Sequence, residues 1–259
     1  MEGMEHWKSK LQEIVNPLQQ QILRTPDTQL YTAIGMLIIT IVFSMFVLLP
    51  KRKKSNTIIL AGLSGSGKTV LFYQLRDGSS HQGTVTSMEP NEGTFVLHSE
   101  TDKKGKWKPI HLVDVPGHSR LRPKLDDFLP QAAGLVYVVD SLEFLFICRA
   151  SAEYLYDILT NASVVKKKVP VLILCNKTEK VTAHSKDFIQ KQLEKEIEKL
   201  RASRTVISDA DMKSEYALGI PGEPFAFSQS RNRVCFAEAS GLTGEVSQVE
   251  QFIREYVKP

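Results

Sequence analysis

Residues 57–69 read TIILAGLSGSGKT, and their types and spacing can hold a phosphate chain. Gly62, Leu63, Ser64, Gly65, Ser66, Gly67, Lys68 and Thr69 form Gly-x-x-x-x-Gly-Lys-Thr, preceded by a strand-like run and followed by a helical repeat. Gly62 and Gly67 can take backbone angles that a Cβ forbids, so successive N–H groups can converge on phosphate oxygens. Lys68 offers a full charge to the terminal phosphates, and the Thr69 hydroxyl can ligate Mg²⁺. Val70 opens the helix whose positive end points at the same anion. A plain Gly/Ser-rich turn would require neither the Lys-Thr pair nor the flanking pattern.

Further chemistry lies downstream. Asp114 ends an apolar strand, where a carboxylate can hold Mg²⁺ through water. Gly117 comes three residues later; its N–H can touch a γ-phosphate and its freedom lets the loop turn when that phosphate leaves. Thr84, Val85, Thr86 and Ser87 lie in a polar stretch before the next strand, where a hydroxyl could reach the metal. Ser87 and Thr86 compete for that role. His118 is a candidate catalytic residue that would position the attacking water; a loop histidine that only packs or stays solvated is the alternative. In Asn176-Lys177-Thr178-Glu179, the carboxylate could accept N1–H and N2–H of guanine and so select GTP over ATP. Lys177 can lay its stem across the base, and Asn176 can tie neighbouring loops together. Ala239, Ser240 and Gly241 close the last strand, with the Gly241 N–H expected to meet guanine O6.

These residues need elements to position them. Strands are expected at 57–61, 94–98, 110–113, 134–140, 170–175 and 233–237. Helices are expected after the phosphate loop, over 119–131, 151–159 and 183–202, and at the end through Val246, Val249, Phe252, Ile253 and Tyr256. The stretch 205–231 carries Gly219, Pro221, Gly222 and Pro224 and reads as an irregular insertion. The expected fold is a doubly wound α/β domain over 57–259 with a mainly parallel six-stranded sheet, a nucleotide lying at the carboxyl ends of the strands.

The N-terminal part differs. Residues 1–29 carry Trp7, Leu11, Ile14, Leu18 and Ile22 at helical spacing, interrupted near Pro17, and read as an amphipathic helix or a loosely ordered tail. No charge falls between Asp27 and Lys51, and residues 30–50 are expected to cross a membrane. A helix over 31–49 would reach about 28 Å. The basic linker 51–56 begins Lys51-Arg52-Lys53-Lys54, which places the remainder of the chain in the cytosol. A span this short suits a thin bilayer such as the endoplasmic reticulum. Lys and Arg number 33 against 29 Asp and Glu, a net charge of +4, and no aromatics interleave a basic stripe, so direct nucleic-acid readout is not expected. Cys148, Cys175 and Cys235 lack metal-ligand spacing and fit a reducing compartment.

Taken in order, 62–69, Ser87, 114–117, 176–179 and 239–241 resemble the Ras-like small GTPases over about residues 56–258. Thr-Val-Thr-Ser and Pro116-Gly117-His118 are most similar to the Arf/Sar branch. A single span joined to such a domain, with an insertion before the last strand, resembles the family of signal recognition particle receptor beta subunits. That resemblance implies GTP/GDP and Mg²⁺ as cofactors and an endoplasmic reticulum membrane anchor. It implies the receptor's alpha subunit as heterodimer partner, with ribosome or translocon contact open. Glu179 stands where the family has Asp, one methylene shorter, which would loosen guanine selectivity. His118 stands where Ras-like proteins commonly have Gln, which implies slow or factor-dependent hydrolysis. An Arf/Sar-like GTPase recruiting coat or tethering proteins is the alternative. A metabolic P-loop kinase or ATPase is disfavoured by 114–117 and 176–179.

Overall fold

The strand β1 (Thr57–Ala61) is buried along its whole length and feeds the phosphate loop from inside a six-stranded sheet. The structure is a computed structural model that describes residues 27–48, 55–80, 86–101, 107–208 and 218–257. The expected tail up to residue 26, the basic run Lys51 to Lys54, Thr84, Val85 and the stretch 209–217 lie outside the described residues. The chain divides into two units, Met1–Lys53 and Lys54–Pro259.

In the first unit, helix α1 covers Asp27–Leu48, 22 residues without Lys, Arg or Glu. Among the described residues no helix is long and apolar enough to cross a membrane.

In the second unit, α2 (Lys68–Asp77) follows the phosphate loop, and β2 (Asn91–Phe95) and the helical turn α3 (His98–Thr101) precede β3 (Ile110–Asp114). Then come α4 (Lys124–Phe128), β4 (Ala132–Asp140), α5 (Phe144–Leu159), α6 (Ala162–Lys167) and β5 (Val171–Asn176). Helix α7 (Lys186–Ser208), β6 (Val234–Glu238) and α8 (Ser247–Tyr256) complete the order. The sheet order is β2-β3-β1-β4-β5-β6. Only β2 runs antiparallel, pairing with β3; the rest are parallel, as expected.

Alternation along β1 explains the two cores. Ile59 and Ala61 pack with residues of α5 and α7 such as Phe144, Leu155 and Leu193. Ile58 and Leu60 pack on the other face with Leu71 and Phe72 of α2 and Phe252 of α8. Strands covered on both faces need continuous apolar runs, which β4 and β5 supply.

Several boundaries differ from the expected ones. β2 covers 91–95 rather than 94–98, because Asn91 pairs with Asp114 and Phe95 with Ile110. The helix expected over 119–131 is divided into a 3-10 turn at Ser119–Leu121, α4, and a second 3-10 turn at Leu129–Gln131. Pro123 and Pro130 lack the N–H that a continuous helix would use. Helix α7 continues to Ser208, so the first residues of the expected irregular insertion are helical. Its charged residues also fasten the later part of that insertion: Phe227 N–H donates to Glu194 at 3.1 Å and Phe225 N–H to Glu198 at 2.8 Å. Arg201 donates to the Ile220 carbonyl at 2.9 Å.

Candidate functional site

The phosphate loop adopts the backbone that its glycines permit. Gly62, Gly65 and Gly67 have φ of 140°, 82° and 90°. A Cβ on Gly62 would overlap the Val138 carbonyl, and one on Gly67 the Asn176 side chain. Lys68 is buried and its ammonium donates to the Leu63 carbonyl at 2.8 Å. Burial pushes Lys68 down to about 8, opposed by the nearby Asp114 carboxylate. The Ser66 hydroxyl is buried without a partner. A cavity of about 290 Å³ opens over this loop, with Ser64, Gly65, Gly67, Lys68, Thr69 and Val70 on its floor. Thr86, Ser87, Asp114, Pro116, Gly117 and Lys177 complete its lining. A buried, desolvated ammonium at the cavity, in a loop whose glycines take positive φ, fits a polyphosphate.

Beside Lys68 the metal candidates come together. Thr69 Oγ1 donates to Asp114 Oδ2 at 2.7 Å and lies 3.4 Å from Ser87 Oγ. Asn91 Nδ2 donates to both Ser87 Oγ and Asp114 Oδ2, at 3.1 Å each. Asp114 Oδ1 is buried with no partner. Burial raises the Asp114 carboxyl, while the bonds from Thr69 and Asn91 and the Lys68 charge pull it down. Two hydroxyls and one carboxylate with an orphaned oxygen fit Mg²⁺, which binds few protein groups and shares substrate phosphates. Ser87, not Thr86, belongs to this cluster. No group of three or more His, Cys, Asp or Glu suited to a metal occurs among the described residues.

Gly117 presses on the phosphate loop, where a Cβ would overlap Ser64 N and the Gly62 carbonyl oxygen. His118 follows directly, and of its two readings the arrangement matches the solvated loop histidine. Its ring is exposed and outside the cavity lining, and its Nδ1 accepts the Arg120 N–H at 3.3 Å. Local capping of the 3-10 turn orients the ring in this arrangement.

The base-reading candidates are interlinked. Asn176 Nδ2 donates to the Ser66 carbonyl at 2.8 Å, and its Oδ1 accepts the Gly241 N–H at 3.0 Å. That corrects one expectation: the Gly241 N–H is held by Asn176 rather than left for guanine O6. Ala239 and Ser240 N–H are also engaged, with Cys175 and Glu245 carbonyls. Ser240 Oγ donates to Glu179 Oε2 at 2.7 Å and accepts from the Thr243 N–H, so this carboxylate is held in place. Thr178 Oγ1 donates to the Ala239 carbonyl at 3.0 Å. Lys177 sits at φ 71° and ion-pairs with Asp140.

Two members of the site were not singled out from sequence. Asn91 links the Ser87 hydroxyl to Asp114, and only the antiparallel β2–β3 register reveals it. Asp140 orients Lys177, and its Oδ1 accepts the N–H groups of Leu142 and Glu143. A carboxylate ending the apolar run GLVYVVD was the one signal for it.

The family model described as signal recognition particle receptor beta subunit matches residues 53–234. The human signal recognition particle receptor subunit beta is 32% identical over 238 residues, covering 90% of this chain and 86% of that protein. The Dictyostelium discoideum protein of the same name is 33% identical over 214 residues, covering 80% of this chain and 71% of its own. A solved structure of the mammalian SRP receptor matches with a TM-score of 0.67 and 32% identity, over 77% of this chain and 99% of that chain.

Proposed function

This chain belongs to the family of signal recognition particle receptor beta subunits, and from that premise we propose that it is a membrane-anchored, GTP-binding subunit. It holds the receptor's alpha subunit at the endoplasmic reticulum in a nucleotide-dependent way, for co-translational targeting. The observation that carries the reading is one cavity over the phosphate loop lined by the buried Lys68 together with the bonded cluster Thr69, Ser87 and Asp114. When bound, Mg²⁺ neutralises charge on the β- and γ-phosphates. Lys68 would bind those phosphates, Thr69, Ser87 and Asp114 would hold the metal, and Lys177 and Glu179 would hold the base. The coat-recruiting Arf/Sar alternative is weaker, since the beta-subunit likeness extends over most of the chain.

Competition tests the base assignment. Unlabelled GDP should displace labelled GTP from the full chain, and ATP should not. If ATP competes as well as GDP, guanine selection by Glu179 is wrong.

The depressed Lys68 value gives a pH signature. At pH 9 the empty site leaves this amine mostly neutral, because its pKa lies near 8. A seated phosphate favours the charged form, so binding should draw in close to one proton. At pH 7 the amine is charged in both states and this uptake disappears. Calorimetry in buffers of different ionisation heat reads the number; equal proton counts at the two pH values would contradict the Lys68 contact.

Membrane anchoring is supported by α1. Met36, Leu37, Ile38, Ile39, Ile41 and Phe43 are each more than half exposed along it, an apolar display that lipid would cover and water would not. The basic run after it in sequence supports a cytosolic second unit. Asn161-Ala162-Ser163 and Asn176-Lys177-Thr178 are glycosylation triplets, and both should stay unmodified in sealed microsomes. External protease should remove most of the chain there. A glycosidase-sensitive mass shift would reverse the orientation.

A further inference from the structure

All the parallel strands start at one end of the sheet, opposite the phosphate loop, and three of the turns feeding them are basic. Lys108 precedes β3, Lys166, Lys167 and Lys168 precede β5, and Arg231 and Arg233 precede β6; all are exposed. The last two turns are held together from inside. Asn232 is buried, and its Nδ2 donates to the Val164 and Val169 carbonyls at 2.9 Å each. The Val171 N–H donates to the Arg233 carbonyl at 2.9 Å. One buried amide thus fixes the lysine turn beside the arginine turn. Lys168 closes α6 at φ 52°, a left-handed position usually given to Gly or Asn. A lysine there costs backbone strain, which points to use of its side chain. At this end Glu255 pairs with Arg233 and Glu100 with Arg254, and Asp126 and Asp127 of α4 are exposed, so the lysine turn carries most of the positive charge offered.

The chain enters this unit at the same end. Ser55 donates to the Gln131 carbonyl, and Lys167 donates to the Pro130 carbonyl. The entry point and the lysine turn therefore share one 3-10 segment, Leu129–Gln131.

We propose that this end of the domain docks on an anionic lipid surface, with Lys108, the lysine turn and the arginine turn meeting the headgroups. The proposal rests on the membrane-anchor reading for its tether. Each Lys or Arg near an anionic leaflet is attracted, and the attraction fades within a Debye length. A short tether makes the encounter intramolecular, so individually weak contacts suffice. Docked this way, the phosphate loop and the loops around Ser87 and Gly117 face away from the bilayer, toward a cytosolic partner. Nucleic acid is the poorer occupant: Trp107, the aromatic beside Lys108, lies under the Arg254 guanidinium rather than open to a base.

The test uses the full chain in lipid nanodiscs of neutral phosphatidylcholine, with or without phosphatidylserine, and maps lysine labelling by mass spectrometry. In the anionic discs Lys167 and Lys168 should react about tenfold more slowly, while exposed Lys180, at the other end of β5, reacts equally in both. High salt should abolish the difference. The double variant Lys167→Glu/Lys168→Glu should also lose the protection of Lys108. Equal labelling in both discs, with the chain still disc-bound, would overturn the docking and leave the anchor standing. A chain that does not remain with the discs would overturn the anchor and the docking together. Protection of the lysine turn by an added RNA oligonucleotide, with none from lipid, would overturn the docking in favour of nucleic acid.

Discussion

Asn176→Ala is expected to weaken GTP and GDP binding by about a hundredfold. Asn176 is buried at the end of β5, where it joins the Ser66 carbonyl of the phosphate loop to the Gly241 N–H of the last loop. Removing the amide leaves a buried acceptor and a buried donor unpaired, at about 1–3 kcal/mol each. It also lets the two loops move independently, although the phosphates and the base must be held in one geometry. Gly67 passes so close to Asn176 that a Cβ there would overlap the amide, so loop and amide fit one another directly. Release of a fluorescent GDP analogue measures the effect. A change of less than about threefold would show that the loops keep their register without this amide.

The alpha subunit should bind the GTP-loaded chain about a hundredfold more tightly than the GDP-loaded one, about 2.7 kcal/mol. The loops around Ser87 and Gly117 are those a γ-phosphate would order, and a domain anchored as proposed above could act only by changing what is bound to it. Gly117 lies hard against Ser64 and Gly62, so a shift of the phosphate loop is passed directly to the segment that begins at Ser119. That segment carries exposed Arg120, half-buried Lys124 and Arg122, whose guanidinium stacks on Tyr154, so the charge it displays would depend on the nucleotide. Calorimetry with GTP, a non-hydrolysable analogue and GDP compares the states. Equal affinity in all of them would reduce the nucleotide to a structural cofactor and leave constitutive anchoring.

How much of this was legible in the sequence depends on the range of the interaction. The placement of the phosphate loop, Asp114 and Asn176 at strand ends was readable because strand ends show as breaks in apolar runs. The sheet emerged from the same runs, since parallel strands covered on both faces leave a continuous apolar record. Asn91 and Asp140 were not readable as site members. Their roles depend on which strand lies alongside and on which lysine folds back, and neither leaves a local mark. Gly241 and His118 show the opposite limit of motif reading. Both stand at positions where a motif suggests a ligand contact, yet a nearer partner takes the Gly241 N–H in one case and the His118 Nδ1 in the other. The described part of the insertion after residue 217 looked irregular because its fastening comes from α7, a long-range partner.

That fastening has an evolutionary corollary. Helix α7 grips the segment through its main chain: Glu194 and Glu198 take the N–H groups of Phe227 and Phe225, and Arg201 takes the carbonyls of Ile220 and Glu223. Beyond the buried anchors Leu218, Phe225 and Phe227, Gly219 against Arg201 and the Gln229 side-chain bonds, the grip does not depend on side-chain identity. Most positions there can drift or be exchanged for another loop's sequence, with proline excluded at 225 and 227 because it would remove a gripped N–H. The segment can change what it displays without changing where it lies.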